Sequence, residues 1–374
     1  MTAPRAATAP LRVALLSPCF WPEVRRGGER MLRDLADGLL AHGHRPRLIT
    51  SHPGPPSRSV EDGLEIVRHW RPPAARLARR RFEDHLTHVP FSYFSLTVGN
   101  DDVAHAVYPT DALAAARWTR HHGRPSVFCV LGPPDRRYLV QRRQRVRITL
   151  AAARGCSAVT ALSRFAADAL WRAIGVEARV IAPGVNVERF TPGPGRAAGP
   201  TVFCPAALTD PMKRADLLVT AFRHLRHERP GARLVLDRPR DPQAAARFEA
   251  DGVELVGPIE TTADLVAQYR RAWVTALPSA GEAFGLVLAE SLACGTPVVG
   301  TDAGGIPEVI DRDEIGRRFE ADDAPGLAAA LLEAIELADA HGTQEACRAR
   351  GLELSSERTT VEYEQLYADL LAGG

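Results

Sequence analysis

The sequence from Ser279 to Glu308 reads SAGEAFGLVLAESLACGTPVVGTDAGGIPE. An apolar run at 274–277 precedes it and predicts a buried strand. Residues 284–294 have the length and composition of a helix, Gly295 ends it, and a second apolar run follows at 297–300. A strand, a helix and a strand in this order predict a parallel sheet with helices on both faces.

The same alternation runs along the whole chain. In the first half we predict strands at 13–16, 47–50, 64–68, 103–107, 127–130 and 159–162, and helices at 28–41, 111–121 and 164–174. In the second half we predict strands at 202–204, 234–237, 253–256, 274–277, 297–300 and 316–319, and helices at 214–227, 263–271, 284–294 and 326–340. Pro and Gly are dense at 191–200 and predict a linker.

We therefore predict an α/β fold with two Rossmann-like, doubly wound domains, joined through a linker at 184–200. Ligands of open α/β sheets bind at the carboxyl ends of the strands, so we expect a site in a cleft that the two domains face. The chain has 374 residues, of which 45% are hydrophobic and 25% charged, an ordinary globular balance. This composition excludes disordered, collagen-like and coiled-coil chains.

Several patterns argue for a cytoplasmic protein. No run of about 18 apolar residues predicts a membrane span, and no secretion signal precedes the first strand. The six cysteines form no Cys-x-x-Cys pair and no Cys/His cluster, so we expect free buried thiols and no metal site. They are Cys19, Cys129, Cys156, Cys204, Cys294 and Cys347.

Charge is unevenly distributed between the two halves. Residues 1–183 contain 28 Arg against 15 acidic residues, a balance of +13, whereas the remainder has a balance of −11. Arginines cluster at 76–81 and at 136–147. They form either a solvated helix face or a surface for an anionic acceptor or an acidic lipid membrane. Nucleic acid is disfavoured because these stretches lack base-stacking aromatic residues.

Lys213 is the only lysine among 47 basic residues. It lies between the predicted strand at 202–204 and the helix that follows. A cation at a helix N-terminus is disfavoured by about 0.3–1 kcal/mol, which a bound diphosphate would offset. A single ammonium in a chain that otherwise uses Arg therefore makes Lys213 a candidate anion ligand.

The turn at 278–285 carries the other candidate groups. The amides of Phe284, Gly285 and Leu286 are predicted to be free at a helix N-terminus, where anions bind well. Glu282 and Glu290 suit the hydroxyl groups of a sugar or a ribose, because carboxylates accept paired donors. Gly28 opens a helix in the first half and predicts a further backbone anion site.

Several stretches together resemble the retaining, GT-B-fold glycosyltransferases of family 4, the glycosyl transferases group 1 type. They are SPCFWP at 17–22 with GG at 27–28, residues 39–44, DVAHAV at 102–107, APGVNVERF at 182–190, the E-x7-E signature at 282–290 with FGL at 284–286, and GGIPE at 304–308. The resemblance covers nearly the whole chain. It implies an acceptor-side domain at 1–183, a nucleotide-sugar domain at 201–355, and a final helix at 356–374 that crosses back onto the first domain.

The resemblance also implies roles for individual residues. The donor would be bound by Gly28, Lys213, Arg214, Glu282, Phe284, Gly285, Leu286 and Glu290. Among them, Lys213 and Glu282 act in catalysis, Lys213 on the diphosphate and Glu282 on the transferred sugar, while Glu290 holds the ribose. No metal and no cofactor are implied, since the nucleotide-diphosphate sugar is a co-substrate.

The sequence departs from the family pattern in two ways. Ala207 and Leu208 stand where an Arg is usual, so Arg214 or another Arg would supply that phosphate contact. Val107 replaces the second His of the His-x-His strand, and we interpret the remaining His105 as structural. The main hypothesis is transfer of a hexose from a UDP- or GDP-sugar to an acceptor hydroxyl in envelope glycan, glycolipid or natural-product synthesis. A GT-B-fold sugar-nucleotide epimerase and a non-catalytic sugar-nucleotide-binding homologue are the alternatives. A glycosidase would not need the anion sites.

Overall fold

A computed structural model describes residues 9–24, 27–73, 75–257 and 259–373, with the side chains of Arg76 and Arg136 excepted. The described residues form two compact units. The first unit is drawn from Met1–Ile181 and Thr359–Gly374, and the second unit is Ala182–Arg358.

The first unit is built on an eight-stranded sheet. Its strands are β1 (Arg12–Leu16), β2 (Arg45–His52), β3 (Ser57–Glu61), β4 (Leu64–Trp70), β5 (Val103–Ala106), β6 (Ser126–Val130), β7 (Ala158–Ala161) and β8 (Arg179–Val180), in the order β3-β4-β2-β1-β5-β6-β7-β8. All neighbours pair in parallel except β3 and β4. Strands such as β5 and β6 are buried along their whole length, which explains their continuous apolar sequences.

Helices connect these strands. They are α1 (Gly27–Ala41), α2 (Ala75–Arg79), α3 (Val89–Val98), α4 (Pro109–His122), α5 (Arg136–Val140), α6 (Arg145–Gly155) and α7 (Arg164–Ile174). Helix α7 shows how local sequence fixes the bounds, because Ser163 Oγ accepts from the Ala166 amide and Gly175 ends the helix at φ +65°.

The second unit repeats the architecture with a fully parallel, six-stranded sheet. Its strands are β9 (Thr201–Cys204), β10 (Arg233–Asp237), β11 (Val253–Val256), β12 (Val274–Leu277), β13 (Val298–Thr301) and β14 (Gly316–Phe319), in the order β11-β10-β9-β12-β13-β14. Its helices are α8 (Ala215–Glu228), α9 (Pro242–Ala246), α10 (Thr262–Arg271), α11 (Leu286–Ala293), α12 (Ala324–Asp339) and α13 (Thr343–Glu353). The predicted class, two doubly wound α/β domains with parallel sheets, is confirmed.

The segment predicted as a linker is packed against the second unit. Arg270 donates to the carbonyl and hydroxyl oxygens of Thr191, and Trp273 Nε1 donates to the Ala197 carbonyl at 2.8 Å. The Arg196 guanidinium lies 3.7 Å from the centre of the Trp273 ring. Pro and Gly shape this segment, but side chains of the second unit hold it in place.

A last helix, α14 (Ser356–Ala372), begins in the second unit and ends in the first. Just before the helix, Val185 and Ser355 form a parallel β-bridge. A Cβ built on the adjacent Gly184 would lie 2.2 Å from the Ser355 carbonyl oxygen, so only glycine fits there. In the first unit, Tyr363 and Tyr367 of α14 are fully buried. The first and last segments of the second unit therefore pair with each other next to Gly184.

His105 on β5 is fully buried against these tyrosines. Its Nδ1 lies 2.6 Å from the Tyr367 hydroxyl, and its ring packs 4.7 Å from the ring of Tyr363. Burial lowers the pKa of His105 from 6.5 to about 3, since the charged imidazolium would be desolvated. The imidazole is thus part of the core that joins α14 to the sheet.

All six cysteines are free thiols, five of them buried and Cys156 half-buried, as the sequence predicts. Within the described ranges, every helix is too short or too polar to cross a lipid bilayer.

We expect acid to destabilise the first unit through His105. Below pH 6.5 the unfolded state binds a proton that the folded state takes up only near pH 3. Each pH unit in this window should remove about 1.4 kcal/mol from the free energy of unfolding. Hydrogen exchange of peptides from β5 and α14, followed in urea at several pH values, measures this loss. The variant His105→Gln should lack this part of the pH dependence, and equal slopes in both proteins would contradict the assignment.

Candidate functional site

The strand order of the second sheet reverses between β9 and β12. These strands are neighbours, with Val202 opposite Val274 and Phe203 opposite Thr275, although they are far apart along the chain. Connections leave such a pair in opposite directions and open a crevice at the carboxyl ends of the strands. The loop after β9 contains Lys213, and the loop after β12 contains Glu282.

Hydrogen bonds join these two loops. A short 3-10 turn, Pro211–Lys213, is capped by Asp210, whose Oδ1 accepts from the Met212 amide at 2.9 Å. The Met212 carbonyl in turn accepts from the Ala280 amide at 2.9 Å. The backbone thus fixes the position of Lys213 relative to the loop that carries Glu282.

Lys213 and Glu282 form an ion pair. Lys213 Nζ donates to Glu282 Oε2 at 2.6 Å, and the side chains are 26% and 20% exposed. They are shielded enough for their charges to act strongly on each other, and open enough for a ligand to reach both. The structure therefore brings together the two residues that the sequence singled out as catalytic candidates.

Helix α11 begins at Leu286, two residues later than predicted. Gly285 adopts φ +100°, a left-handed conformation that interrupts the helix there and that a side chain would strain. In the described part of the chain, the amides of Phe284, Gly285, Leu286 and Val287 donate to no acceptor. The three predicted amides are available to an anion at the positive end of the helix dipole, together with Val287, which the sequence analysis missed.

Two glycines support the Glu282 turn from the next loop. The Gly305 amide donates to the Glu282 carbonyl at 2.8 Å. A Cβ on Gly304 would lie 2.6 Å from the same carbonyl oxygen, and one on Gly305 would lie 2.2 Å from the Ala283 carbonyl oxygen. The GG pair at 304–305 is therefore required by close backbone packing beneath the site.

Glu290 lies on the buried side of α11 and is only 3% exposed. Its Oε2 accepts from the Tyr269 hydroxyl at 2.7 Å. The apolar neighbours of Glu290 in the sequence predicted a partner for this acid, but Tyr269 could not be identified, because a tyrosine in an amphipathic helix such as α10 has the pattern of an ordinary core residue. Tyr269 is held in turn by Phe203, which packs edge-on at 5.5 Å.

Of the two other predicted residues, Arg214 directly follows Lys213 and Gly28 lies in the first unit. Arg214 precedes α8 with φ +53° and directs Nη2 to Asp322, while its Nη1 is buried without a hydrogen bond among the described residues. Gly28 belongs to the first unit, where a Cβ on it would lie 2.7 Å from Leu131 Cδ1. The pair of Lys213 and Glu282 thus includes neither residue.

The departures from the family pattern have plain structural settings. Leu208 is buried near the end of β9, and Val107 is buried directly after β5. Over the described residues, no group of three or more His, Cys, Asp or Glu side chains is arranged to hold a metal ion.

Two family models match the chain. Residues 25–189 match the model described as Glycosyltransferase Family 4, and residues 199–336 match Glycosyl transferases group 1. Together they leave only 1–24, 190–198 and 337–374 unmatched.

Curated relatives match a part of the chain. A D-inositol 3-phosphate glycosyltransferase of Saccharomonospora viridis is 36% identical over 175 residues, which are 41% of this chain and 41% of the relative. One of Streptomyces bingchenggensis is 36% identical over 170 residues, 38% of this chain and 37% of the relative. The matches thus span about two fifths of the length of these relatives.

Solved structures match the chain over nearly its whole length. Sucrose-phosphate synthase from Thermosynechococcus elongatus has a TM-score of 0.81 at 23% identity, covering 97% of this chain and 100% of that one. Anabaena HepE in complex with UDP and glucose has a TM-score of 0.72 at 18% identity, with coverage of 97% and 100%. At these identities the likeness shows the fold alone, which is GT-B.

Substitution of Gly304 tests whether the glycine pair supports the site. Gly304 and Gly342 both have positive φ, +69° and +87°, but nothing lies within 4 Å of a Cβ built on Gly342. We expect Gly342→Ala to cost about 1–2 kcal/mol through backbone strain alone. Gly304→Ala adds a clash with the Glu282 carbonyl and should lower the free energy of unfolding of the second unit further. Equal losses in urea unfolding would show that the Gly304 contact is relaxed without cost.

Proposed function

The chain belongs to the glycosyltransferases of family 4 and has the GT-B fold. We propose that it moves a hexose from a UDP- or GDP-linked sugar to an acceptor hydroxyl, with retention at the anomeric carbon. The ion pair of Lys213 and Glu282, at the reversal of strand order in the second sheet, carries this proposal. The UDP and glucose held by the structurally similar HepE support a sugar nucleotide as the donor.

Leaving-group stabilisation is the main chemical task that we assign to the site. When the bond between the anomeric carbon and the diphosphate breaks, negative charge develops on the departing phosphate oxygen. The Lys213 ammonium and the amides at 284–287 are positioned before the reaction, so they stabilise this charge without reorganising. In this proposal they perform the neutralisation without a bound metal cofactor.

The two carboxylates are assigned to hydroxyl groups of the donor. Glu282 accepts from hydroxyls of the transferred sugar, next to the ammonium that binds the diphosphate. Glu290, fixed by Tyr269, accepts from the ribose hydroxyls. Both assignments use the ability of a carboxylate to take two hydroxyl donors in a defined geometry.

Retention follows from attack on the face of the sugar that the diphosphate leaves. The acceptor oxygen forms a bond to the anomeric carbon as the carbon–oxygen bond to the diphosphate breaks. The proton of the acceptor hydroxyl passes to an oxygen of the departing phosphate. This route needs no covalent nucleophile from the protein, and its rate depends on orientation and on charge stabilisation.

The alternatives differ in their products. A sugar-nucleotide epimerase would return an isomerised sugar nucleotide, and a non-catalytic homologue would bind the nucleotide without turnover. Calorimetry with UDP and GDP, followed by product analysis with UDP- and GDP-hexoses and an acceptor panel, distinguishes the three. Formation of a glycoside with release of UDP or GDP supports the transferase.

Removal of the ammonium should reduce transfer strongly. We expect Lys213→Ala to lower kcat/KM by about 10²–10³-fold, the loss typical of one preorganised charge stabiliser. Release of the nucleotide measures this loss. Arg229→Ala serves as the control, because Arg229 is exposed in the same unit and pairs with Glu336 at 3.1 Å. Turnover of Lys213→Ala at the wild-type rate would remove Lys213 from the mechanism.

We further propose a peripheral location at the inner leaflet, where a lipid-linked or anionic acceptor would be met. Three arginines are exposed: Arg137 on α5, Arg143 in the turn that follows, and Arg147 on α6. They lie next to Val140 and Val146, which are 74% and 36% exposed. Cations beside exposed apolar side chains suit an anionic bilayer surface. Arg145, counted with this cluster in the sequence, is instead buried and donates to Glu83 at 2.6 Å, and the side chain of Arg136 lies outside the described residues.

Vesicle flotation tests this surface. Three arginines at about 1 kcal/mol each predict roughly 100-fold stronger partitioning to vesicles with anionic lipid than to neutral ones. Val140→Asp should abolish most of this preference, whereas Val60→Asp, at a valine that is 70% exposed elsewhere in the first unit, should not. Equal partitioning to neutral and anionic vesicles would contradict the proposal.

A further inference from the structure

The segment at 187–191, part of the predicted linker, is bonded to α10 and to α11. Arg348 of α13 donates through Nη2 to the Val187 carbonyl at 2.9 Å and through Nη1 to the Phe190 carbonyl at 2.7 Å. The same Nη1 donates to the carbonyl of Ala293, the last residue of α11, at 2.8 Å. One guanidinium therefore ties this segment to the C-terminal end of α11.

Helix α10 holds the next residue of the segment. Arg270 donates to the carbonyl and hydroxyl oxygens of Thr191 at 2.8 and 2.7 Å. Beside this pair, the ring of Phe190 packs with its centre 6.1 Å from the centre of the Tyr269 ring. Because the segment contacts both helices, it helps to fix the position of α10 relative to α11.

Tyr269 is held on several sides. Its side chain is fully buried and packs against two phenylalanine rings, Phe190 of the segment and Phe203 of β9. Its carbonyl accepts from Thr296 Oγ1 at 2.8 Å. Its hydroxyl donates to Glu290 Oε2 at 2.7 Å. Since the ring and the backbone are both fixed, the tyrosine hydroxyl determines where this carboxylate oxygen lies.

The orientation of a carboxylate decides how well it distinguishes a ribose from a deoxyribose. A mobile glutamate loses rotamer freedom when it binds a pair of hydroxyl groups, and this loss weakens the binding. A carboxylate held in place binds both hydroxyls without that cost. When one hydroxyl is missing, the held carboxylate cannot turn toward another donor, so the deoxy compound is rejected more strongly.

We propose that Phe190 and Tyr269 are positioning residues for ribose recognition, in which Phe190 holds the ring of Tyr269 and Tyr269 holds Glu290. This inference rests on the proposed function, which assigns Glu290 to the ribose hydroxyls. The segment at 187–191 thus takes part in nucleotide selection, in addition to connecting elements of the fold.

The test compares the affinities of ribonucleotides and deoxyribonucleotides for the full chain. Calorimetry with UDP and 2′-deoxy-UDP, and with GDP and 2′-deoxy-GDP, gives the ratio of the two affinities for each base. We expect the wild type to prefer the ribonucleotide by about 10–100-fold, because the deoxy compound lacks a hydrogen bond to a charged group. Tyr269→Phe should lower this ratio by about 3–10-fold, and Phe190→Leu should lower it by a smaller factor.

The ratio separates positioning from a general structural role. A variant that merely loosens the second unit weakens both nucleotides alike and leaves the ratio unchanged. Phe190→Leu keeps an apolar side chain of similar volume, so it decides the question if Tyr269→Phe does not fold.

Two matched controls remove comparable groups elsewhere. Tyr367→Phe removes another fully buried tyrosine hydroxyl, which lies 2.6 Å from His105 Nδ1 in the first unit. Phe222→Leu replaces another buried phenylalanine of the second unit, on α8. Both variants should keep the wild-type ratio.

The proposal is overturned by an unchanged ratio in Tyr269→Phe or in Phe190→Leu, and equally by the same reduction in the controls. Glu290→Met, which removes both carboxylate oxygens, shows which proposal fails. If this variant loses the preference for ribose while the positioning variants keep it, only the positioning role is wrong. If it keeps the wild-type ratio, or if neither UDP nor GDP binds the wild type, the assignment of Glu290 in the proposed function is wrong, and the positioning role is wrong with it.

Discussion

The ion pair between Lys213 and Glu282 is the constraint around which the second unit is arranged. It requires β9 and β12 to be neighbours, so that two loops far apart in sequence meet. It also requires the Glu282 turn to stay in place, and Gly305 holds this turn by a hydrogen bond from below. Gly285 has a left-handed φ, so α11 begins only at Leu286, and the amides at 284–287 next to the pair have no hydrogen-bond acceptor among the described residues. The strand order, the positions of the glycines and the start of α11 together place the ion pair and the free amides next to each other.

Local charge matters here because the surrounding chain is acidic. Residues 184–374 have a balance of −11, which would repel a diphosphate over long distances. Salt screens exposed charges beyond about 8–10 Å, so groups within a few ångströms decide whether an anion binds. The charges of Lys213 and Glu282 balance each other, and the free amides add the positive end of a helix dipole beside the pair. This arrangement favours an anion that fits the site over anions in general.

Periodicity predicted the fold well because the central strands are buried on both faces. Strand β12, which is buried along its whole length, was predicted to the residue, since a short apolar run marks a buried parallel strand. The missed elements have other patterns. Strand β3 at the sheet edge is almost entirely exposed, and α6 carries arginines between its apolar positions. Their stability comes from neighbours that a local pattern does not reveal.

The sequence predicted only those parts of the site that residue type or spacing marks. The solitary Lys213 and the spacing of Glu282 and Glu290 are visible in the sequence, and so is the need for a partner of a buried acid. The identity of that partner, Tyr269, depends on how α10 packs beside α11. The start of α11 was misplaced because nothing in the sequence states that Gly285 has a positive φ.

Helix α14 has a consequence for biosynthesis. The first unit is completed by residues 359–374, whose Tyr363 and Tyr367 fill its core beside His105. During translation the ribosome must therefore make the entire second unit before the first can close. At about 5–20 residues per second, translation from the end of β5 to Tyr367 takes roughly 15–50 seconds, and for this time the β5 region lacks its cover. A nascent chain with such a gap needs protection from aggregation until its final turns emerge.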